Sequence, residues 1–194
     1  GREEETMFAR TERLLLRPGW AEDAPAQARA IAEEAIVRNL ATAPWPYDLE
    51  NARAYLATER KPSEASFLIF RRTNGAPRLI GSGGLGRNPE GQVELGYWIS
   101  RPHWGLGYAT ESGQAIVNIA RHGLRLRKLS AGHFLDNPAS GRVLEKLGFR
   151  PTGTVAPRYS CGRGAEAPCK LFELDLCEDR TGDAGFNPCL EMAA

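Results

Sequence analysis

The chain has 194 residues, 42% of them hydrophobic and 25% charged, which supplies one domain with a real core and little room for a second. Twenty-five Lys and Arg stand against 24 Asp and Glu. A net charge of +1 excludes the basic excess of a dedicated DNA-binding protein, and no apolar run approaches the roughly 18 residues of a membrane helix, so neither DNA nor membrane is an expected partner.

Residues 1–18, with acids at the front and no apolar centre, do not read as a secretory signal. Cys161, Cys169, Cys177 and Cys189 form no CxxC pair, and His103, His122 and His133 lie elsewhere in the sequence. No metal site is therefore expected, a disulfide within the tail stays open, and a cytoplasmic location with ordinary thiols fits best.

In chain order, Arg10 to Arg17 reads as a first strand, stopped by Pro18. Glu22 to Leu40 places Ala28, Ile31, Ala32, Ala35 and Ile36 at helical spacing. Two prolines keep Ala43 to Tyr47 from being helical, and Asp48 caps a second helix running to about Arg60. Strands at Ser66–Arg72 and Pro77–Gly86 flank Asn74-Gly75, a tight-hairpin signal. A second hairpin turns at Asn88 to Gly91 into Gln92–Ser100. A helix from about Tyr108 to Gly123, a strand at Lys128–Phe134 and a short helix at Pro138–Leu147 follow, the last stopped by Gly148 in a left-handed cap. Phe149–Tyr159 and Lys170–Leu176 make the last strands. The predicted organisation is an N-terminal extension (1–9), a single α/β (α+β) domain (10–176) and a loose tail (177–194).

The informative stretch is Val93 to Glu111, VELGYWISRPHWGLGYATE. A strand runs into a turn holding Gly105 and Gly107, and a helix starts at once. Glycines let the backbone fold tightly and approach a ligand, and the free N–H groups at a helix start attract an anion. A phosphate or pyrophosphate suits that position. No Walker pattern occurs, and Thr110 stands where a dinucleotide fingerprint needs glycine.

PHWGLGYATE, preceded by ELGYWIS, resembles the acetyl-coenzyme A signature of the GCN5-related N-acetyltransferases (GNAT), in the RimJ/RimL-like branch typified by the ribosomal-protein alanine N-acetyltransferases. The superfamily pattern Gln/Arg-x-x-Gly-x-Gly/Ala falls on Trp104-Gly105-Leu106-Gly107-Tyr108-Ala109, with Trp in first place. Asp136 to Phe149 resembles the branch's "N-x-x-S…K-L-G-F" helix, and Thr11 to Arg17 its opening strand. The matches keep the family's order over residues 10–176.

The resemblance implies a mixed, mostly antiparallel sheet of about seven strands flanked by about four helices, with two parallel strands splayed to hold the cofactor. The cofactor would be acetyl-coenzyme A. Its pantetheine arm would pair with the backbone near Trp98, Ile99 and Ser100, and its pyrophosphate would sit on the amides of Trp104 to Ala109. Asn137 would bond the arm besides capping its helix, Ser140 would protonate the leaving thiolate, and Arg142 would reach the phosphates. Trp45 and Tyr47 would wall the acceptor pocket.

Strand alternation groups Glu94 with Gly96 and Trp98, so a carboxylate lining a cleft is the candidate general base. Glu111 is a weaker candidate, readable also as a first-turn acid that favours the helix dipole. The expected activity is direct acetyl transfer to an amine, either a protein N-terminus or a small molecule. The rival readings are a non-catalytic acyl-coenzyme A sensor and a nucleotide-binding interaction domain. Exposed edge strands would permit a homodimer without requiring one.

Overall fold

The computed structural model describes residues 7–177. Eight strands form one sheet: β1 (Ala9–Arg10), β2 (Leu14–Arg17), β3 (Ser66–Arg71), β4 (Arg78–Arg87), β5 (Val93–Ile99), β6 (Lys128–Phe134), β7 (Arg150–Ser160) and β8 (Ala165–Asp175). Their order is β1-β2-β3-β4-β5-β6-β8-β7. Every neighbouring pair is antiparallel except β5 and β6. The helices are α1 (Ala24–Ile31), α2 (Glu34–Val37), α3 (Leu49–Ala57), α4 (Tyr108–Asn118) and α5 (Pro138–Lys146). The mixed sheet with one parallel pair agrees with expectation; among the described residues, strands and α-helices each number one more than the resemblance implied.

Four segments depart from the sequence reading. The first strand is a small hairpin, because residues 11–13 turn and Thr11 N–H bonds Leu14 O. The helix expected over 22–40 breaks at Ala32 and the extended Glu33. At 100° per residue, Ile31 and Ile36 would lie 140° apart on one continuous helix. The break lets both, with Val37, join one cluster that Tyr47 and Trp98 also pack against. The Asn74-Gly75 turn is a longer loop closed by the Thr73 hydroxyl, which accepts from Gly75 N–H. Residues 165–169 belong to β8, extending a long hairpin with β7. Asp48 caps α3 as expected, accepting from Asn51 N–H at 2.9 Å, and Gly148 ends α5 at φ 96°.

The sheet separates two apolar layers. On one face, α4 and α5 pack with Leu14, Leu16, Phe67, Ile69, Leu95 and Ile99. Gly83 permits this close seat: a Cβ there would meet Ile116 Cδ1 at 2.9 Å. The other face carries α1 and α2, against which Trp98 packs. Among the described residues, no helix is long and apolar enough to cross a membrane, and no His, Cys, Asp and Glu group is arranged to hold a metal. The extension's first six residues and the tail after Cys177, including Cys189, lie outside the described residues.

Candidate active site

β5 and β6 share a single register pair, Glu94 with Ser130. Beyond it the strands part, and three residues separate the end of β6 from the start of α5. The Ser100 N–H donates to Ile80 O at 2.7 Å, so by alternation the backbones of Trp98 and Ser100 face β4. Of the three residues expected to pair with the cofactor arm, Ile99 alone presents its backbone to the open edge. Its carbonyl accepts the Trp104 indole N–H at 2.6 Å, so Trp104 folds back onto the strand.

Ser100 and His103 pin the end of β5: both are buried, and the Ser100 hydroxyl lies 2.8 Å from His103 Nδ1. Burial lowers the His103 pKa, with Arg78 and Arg71 adding to it. The turn then rises through Gly105 (φ 73°) and Gly107 (φ 83°), left-handed positions that suit glycine, and Gly107 is the N-cap of α4. A Cβ on Gly105 would have no atom within 4 Å, so the turn is open on that side. Leu106 is exposed, Tyr108 is buried and Ala109 is half-buried. The first-turn N–H groups of α4 have no intrahelical partner.

Arg13 braces this turn. Its Nη1 donates to Leu106 O at 2.9 Å, its Nε to Glu111 Oε1 at 2.7 Å, and its guanidinium stacks 4.2 Å from the Tyr108 ring centroid. Burial pushes the Glu111 carboxyl up, but hydrogen bonds from Thr11 and Arg13 outweigh it and the pKa falls. Glu111 is therefore an anchored ion-pair partner, unlike a general base, and this removes it as a candidate.

Glu94 behaves oppositely. Burial raises its pKa; a hydrogen bond from Asn88 and the charge of Arg158 oppose this, and Glu90 adds to it. Arg158 reaches from β7 to Glu90 in the β4–β5 turn, with both carboxylate oxygens within 2.8 Å of Nη2. Glu94 and Trp98 share a face with Gly86 and Gly96, where added Cβ atoms would meet nothing within 4 Å. Gly96 thus leaves an open trough on β5 between the carboxylate and the indole, bounded on the β4 side where Gly84 meets the Ala65 backbone. Beside it, burial and the Glu94 charge push the Cys169 thiol up to about 11, which keeps it protonated and a poor nucleophile.

Ser140 lies on the opposite side of the gap. Its hydroxyl is 2.8 Å from that of Tyr97, whose pKa burial raises and the Ser140 hydrogen bond lowers in part. Asn137 sits at the N-cap of α5 but makes no side-chain capping bond, a correction to its expected helix role. Pro138, with its fixed φ at the first helical position, starts the helix instead. Arg142 is exposed one turn farther on. Tyr47 is half-buried and accepts from Gln27 Nε2 at 3.2 Å, and burial raises its pKa; Trp45 is exposed. The structure thus brings Glu94, Trp98 and Tyr47 to one face and Ser140 to the other.

Sequence reasoning missed Tyr97, Arg158 and Arg13. Alternation puts Tyr97 on one strand face with Val93, Leu95 and Ile99, which by itself marks no site residue. Arg13 lay inside the opening-strand motif, so its neighbours could have flagged it. Arg158 had no local signal at all.

The acetyltransferase (GNAT) domain family matches residues 13–150. The chain is 27% identical over 178 residues to a Bacillus licheniformis protein described as the uncharacterized N-acetyltransferase p20, covering 88% of this chain and 96% of that one. It is 38% identical over 96 residues to the probable N-acetyltransferase YjcK of Bacillus subtilis, covering 48% and 52% of the two chains. Among solved structures, a GNAT-family acetyltransferase from Bacillus anthracis superposes with a TM-score of 0.74 at 20% identity, covering 89% of this chain and all of that one. A putative ribosomal-protein-serine acetyltransferase from Vibrio cholerae gives 0.69 at 21% identity, covering 87% and 97%. The microcin C7 self-immunity acetyltransferase MccE, solved with acetyl-CoA and AMP, gives 0.67 at 13% identity, covering 85% and 93%. With most of its length matched in both sequence and fold, the chain belongs to the GNAT acetyltransferase-domain family.

Proposed function

We propose that the protein transfers an acetyl group from acetyl-coenzyme A to a primary amine by direct attack within a ternary complex. The observation that carries the reading is the single β5–β6 register pair at Glu94, with the strand edge open from there to the glycine turn. The residues present suit the donor. The N–H groups of α4 and the open side of Gly105 fit a pyrophosphate, and the edge at Ile99 fits an amide-bearing arm. Acetyl-coenzyme A supplies an activated acetyl thioester.

The protein's own work is positioning and proton movement. Glu94, whose pKa burial raises, accepts the ammonium proton directly or through a water, so that the neutral amine attacks. The Ile99 N–H, on the open edge, steadies charge developing on the thioester oxygen. Ser140 donates a proton to the leaving sulfur. Asn137 holds the arm, and Arg142 is within its helix's reach of the phosphates. Trp45, Tyr47 and Trp98 wall the amine side. The RimJ/RimL-like resemblance and the name of the Vibrio cholerae neighbour favour a protein N-terminus as the amine.

Thiol release from acetyl-coenzyme A, measured against peptides with varied N-termini, polyamines, amino acids and aminoglycosides, tests this reading, with calorimetry in parallel. Release that depends on one amine class supports it. Tight binding without release across the panel favours a sensor, and no binding overturns the donor site.

A further inference from the structure

From the side chains that meet between α2, α5 and the β7–β8 hairpin, we infer that Arg163 is a positioning residue that sets the amine-side wall against the donor-side wall. Arg163 lies in the β7–β8 turn, and its side chain is 13% exposed. Its two terminal nitrogens form a fork on Asp136, Nη1 to Oδ2 and Nη2 to Oδ1, each at 2.7 Å. Its Nε donates to Arg38 O at 2.6 Å, and Nη2 also donates to Asn39 Oδ1 at 3.2 Å. The guanidinium stacks 4.2 Å from the centroid of Phe134, the last residue of β6. Arg38 closes the triangle, with Nη2 donating to Asp136 Oδ2 at 2.8 Å.

One planar group therefore ties its own turn to two segments distant in sequence. Arg38 and Asn39 follow α2, whose Ile36 and Val37 pack with Trp98 and Tyr47. Phe134 and Asp136 lead directly into Asn137 and α5, which carries Ser140. The turn itself is held by further bonds: the Ser160 hydroxyl donates to Leu40 O at 2.7 Å, and Cys161 N–H donates to Ala41 O at 2.9 Å. The spacing of β6–α5 from α2 is the width of the proposed site; Arg38 spans it with one bond to Asp136, and Arg163 spans it with the two-pronged fork on Asp136, bonds to Arg38 O and Asn39, and the stack on Phe134. A lysine could neither form the fork nor stack while reaching a carbonyl behind it. None of these contacts faces the glycine turn, so an effect on donor affinity would have to pass through the placement of Asp136 and Asn137.

The inference rests on the donor site proposed above, and acetyl-coenzyme A is its probe. Calorimetry is done well below the melting midpoint, where every variant is fully folded and loss of stability alone leaves Kd unchanged. Arg163→Gln is expected to raise Kd about tenfold, roughly the 1.4 kcal/mol of one misplaced binding contact, with Arg163→Lys between it and wild type. Asp136→Asn should weaken binding similarly, and the double variant should add little further, because both remove one contact. Arg17→Gln is the matched control: Arg17, as buried as Arg163, forms the same fork on Asp23, stacks on Trp20 and Phe70, and touches neither wall. It should lower the melting midpoint and leave Kd alone.

An Arg163→Gln protein that melts earlier but binds with unchanged Kd would reduce Arg163 to a stabilising residue and overturn the inference. If that variant does not fold, the same comparison is decided by Arg163→Lys. Wild type that fails to bind acetyl-coenzyme A would instead sink the donor site itself, a result separable from failure of the positioning role.

Discussion

The Tyr97 hydroxyl lies 2.8 Å from Ser140 Oγ, joining β5 to α5 across the gap where the two parallel strands part. Burial favours the protonated phenol, and either hydroxyl can donate in this bond; with Tyr97 donating, the Ser140 proton is free to point into the gap. Ser140→Ala should lower kcat about a hundredfold with donor Kd little changed. Tyr97→Phe should lower kcat less, and the double variant should match Ser140→Ala. Independent, multiplicative losses in steady-state thiol release would show that the two hydroxyls do not act as a unit.

Glu94→Gln should abolish most turnover, by about a hundredfold or more, while calorimetry reports intact donor binding. Because burial raises the Glu94 pKa, the acid limb of kcat/KM should lie above the ordinary carboxylate range. The stability consequence has a definite sign. A carboxyl bound more tightly to its proton when folded contributes stability below its unfolded pKa, and that contribution is lost as pH rises through the folded value. Glu94→Gln should therefore melt higher than wild type at neutral pH, with the difference closing in acid. A wild type that melts higher at both pH values would contradict this.

Glu111 carries the opposite sign. Its pKa is lowered, so its ion pair with Arg13 stabilises above the unfolded carboxylate pKa and is lost as pH falls through the folded value. Removing a carboxylate that accepts from Thr11 Oγ1, Arg13 N and Arg13 Nε should cost about 2 kcal/mol. Urea unfolding of Glu111→Ala should show that loss near neutrality, and donor affinity should weaken as the turn at Leu106 loosens. Unchanged stability would mean that Arg13 finds another partner.

Gly96 tests the amine trough. A side chain there would enter open space between Glu94 and Trp98. Gly96→Leu should raise KM for the amine about tenfold and leave acetyl-coenzyme A Kd within twofold. Loss of donor binding instead would place the trough on the wrong side of the sheet.

Cys169 should be dispensable. With its thiol pushed up to about 11, it should resist iodoacetamide at pH 8 while the exposed Cys161 reacts, as read by mass spectrometry. Cys169→Ala should retain thiol release, and a dead variant would reopen covalent catalysis.

The donor motif was legible from sequence because its requirements are local. Gly105 and Gly107 are needed for backbone angles a few residues apart, Gly148 for a left-handed cap, and Asp48 for an N-cap. The alternation of Glu94 and Trp98 against Leu95 and Ile99 was equally readable, since a strand repeats every two residues. Tertiary structure decided the rest. The break at Ala32–Glu33 arises because Ile31, Ile36 and Val37 must reach one cluster, which periodicity within a single helix cannot express. Trp104 turns its indole onto Ile99 O through a contact that no residue type dictates, and Asn137 makes no side-chain cap on its helix. Arg158 meets Glu90 across 68 residues and Arg163 meets Arg38 across 125. Backbone conformation is set by neighbours in the chain, whereas burial and charge pairing are set by neighbours in space, and it is the latter that make Glu94 a candidate base and remove Glu111.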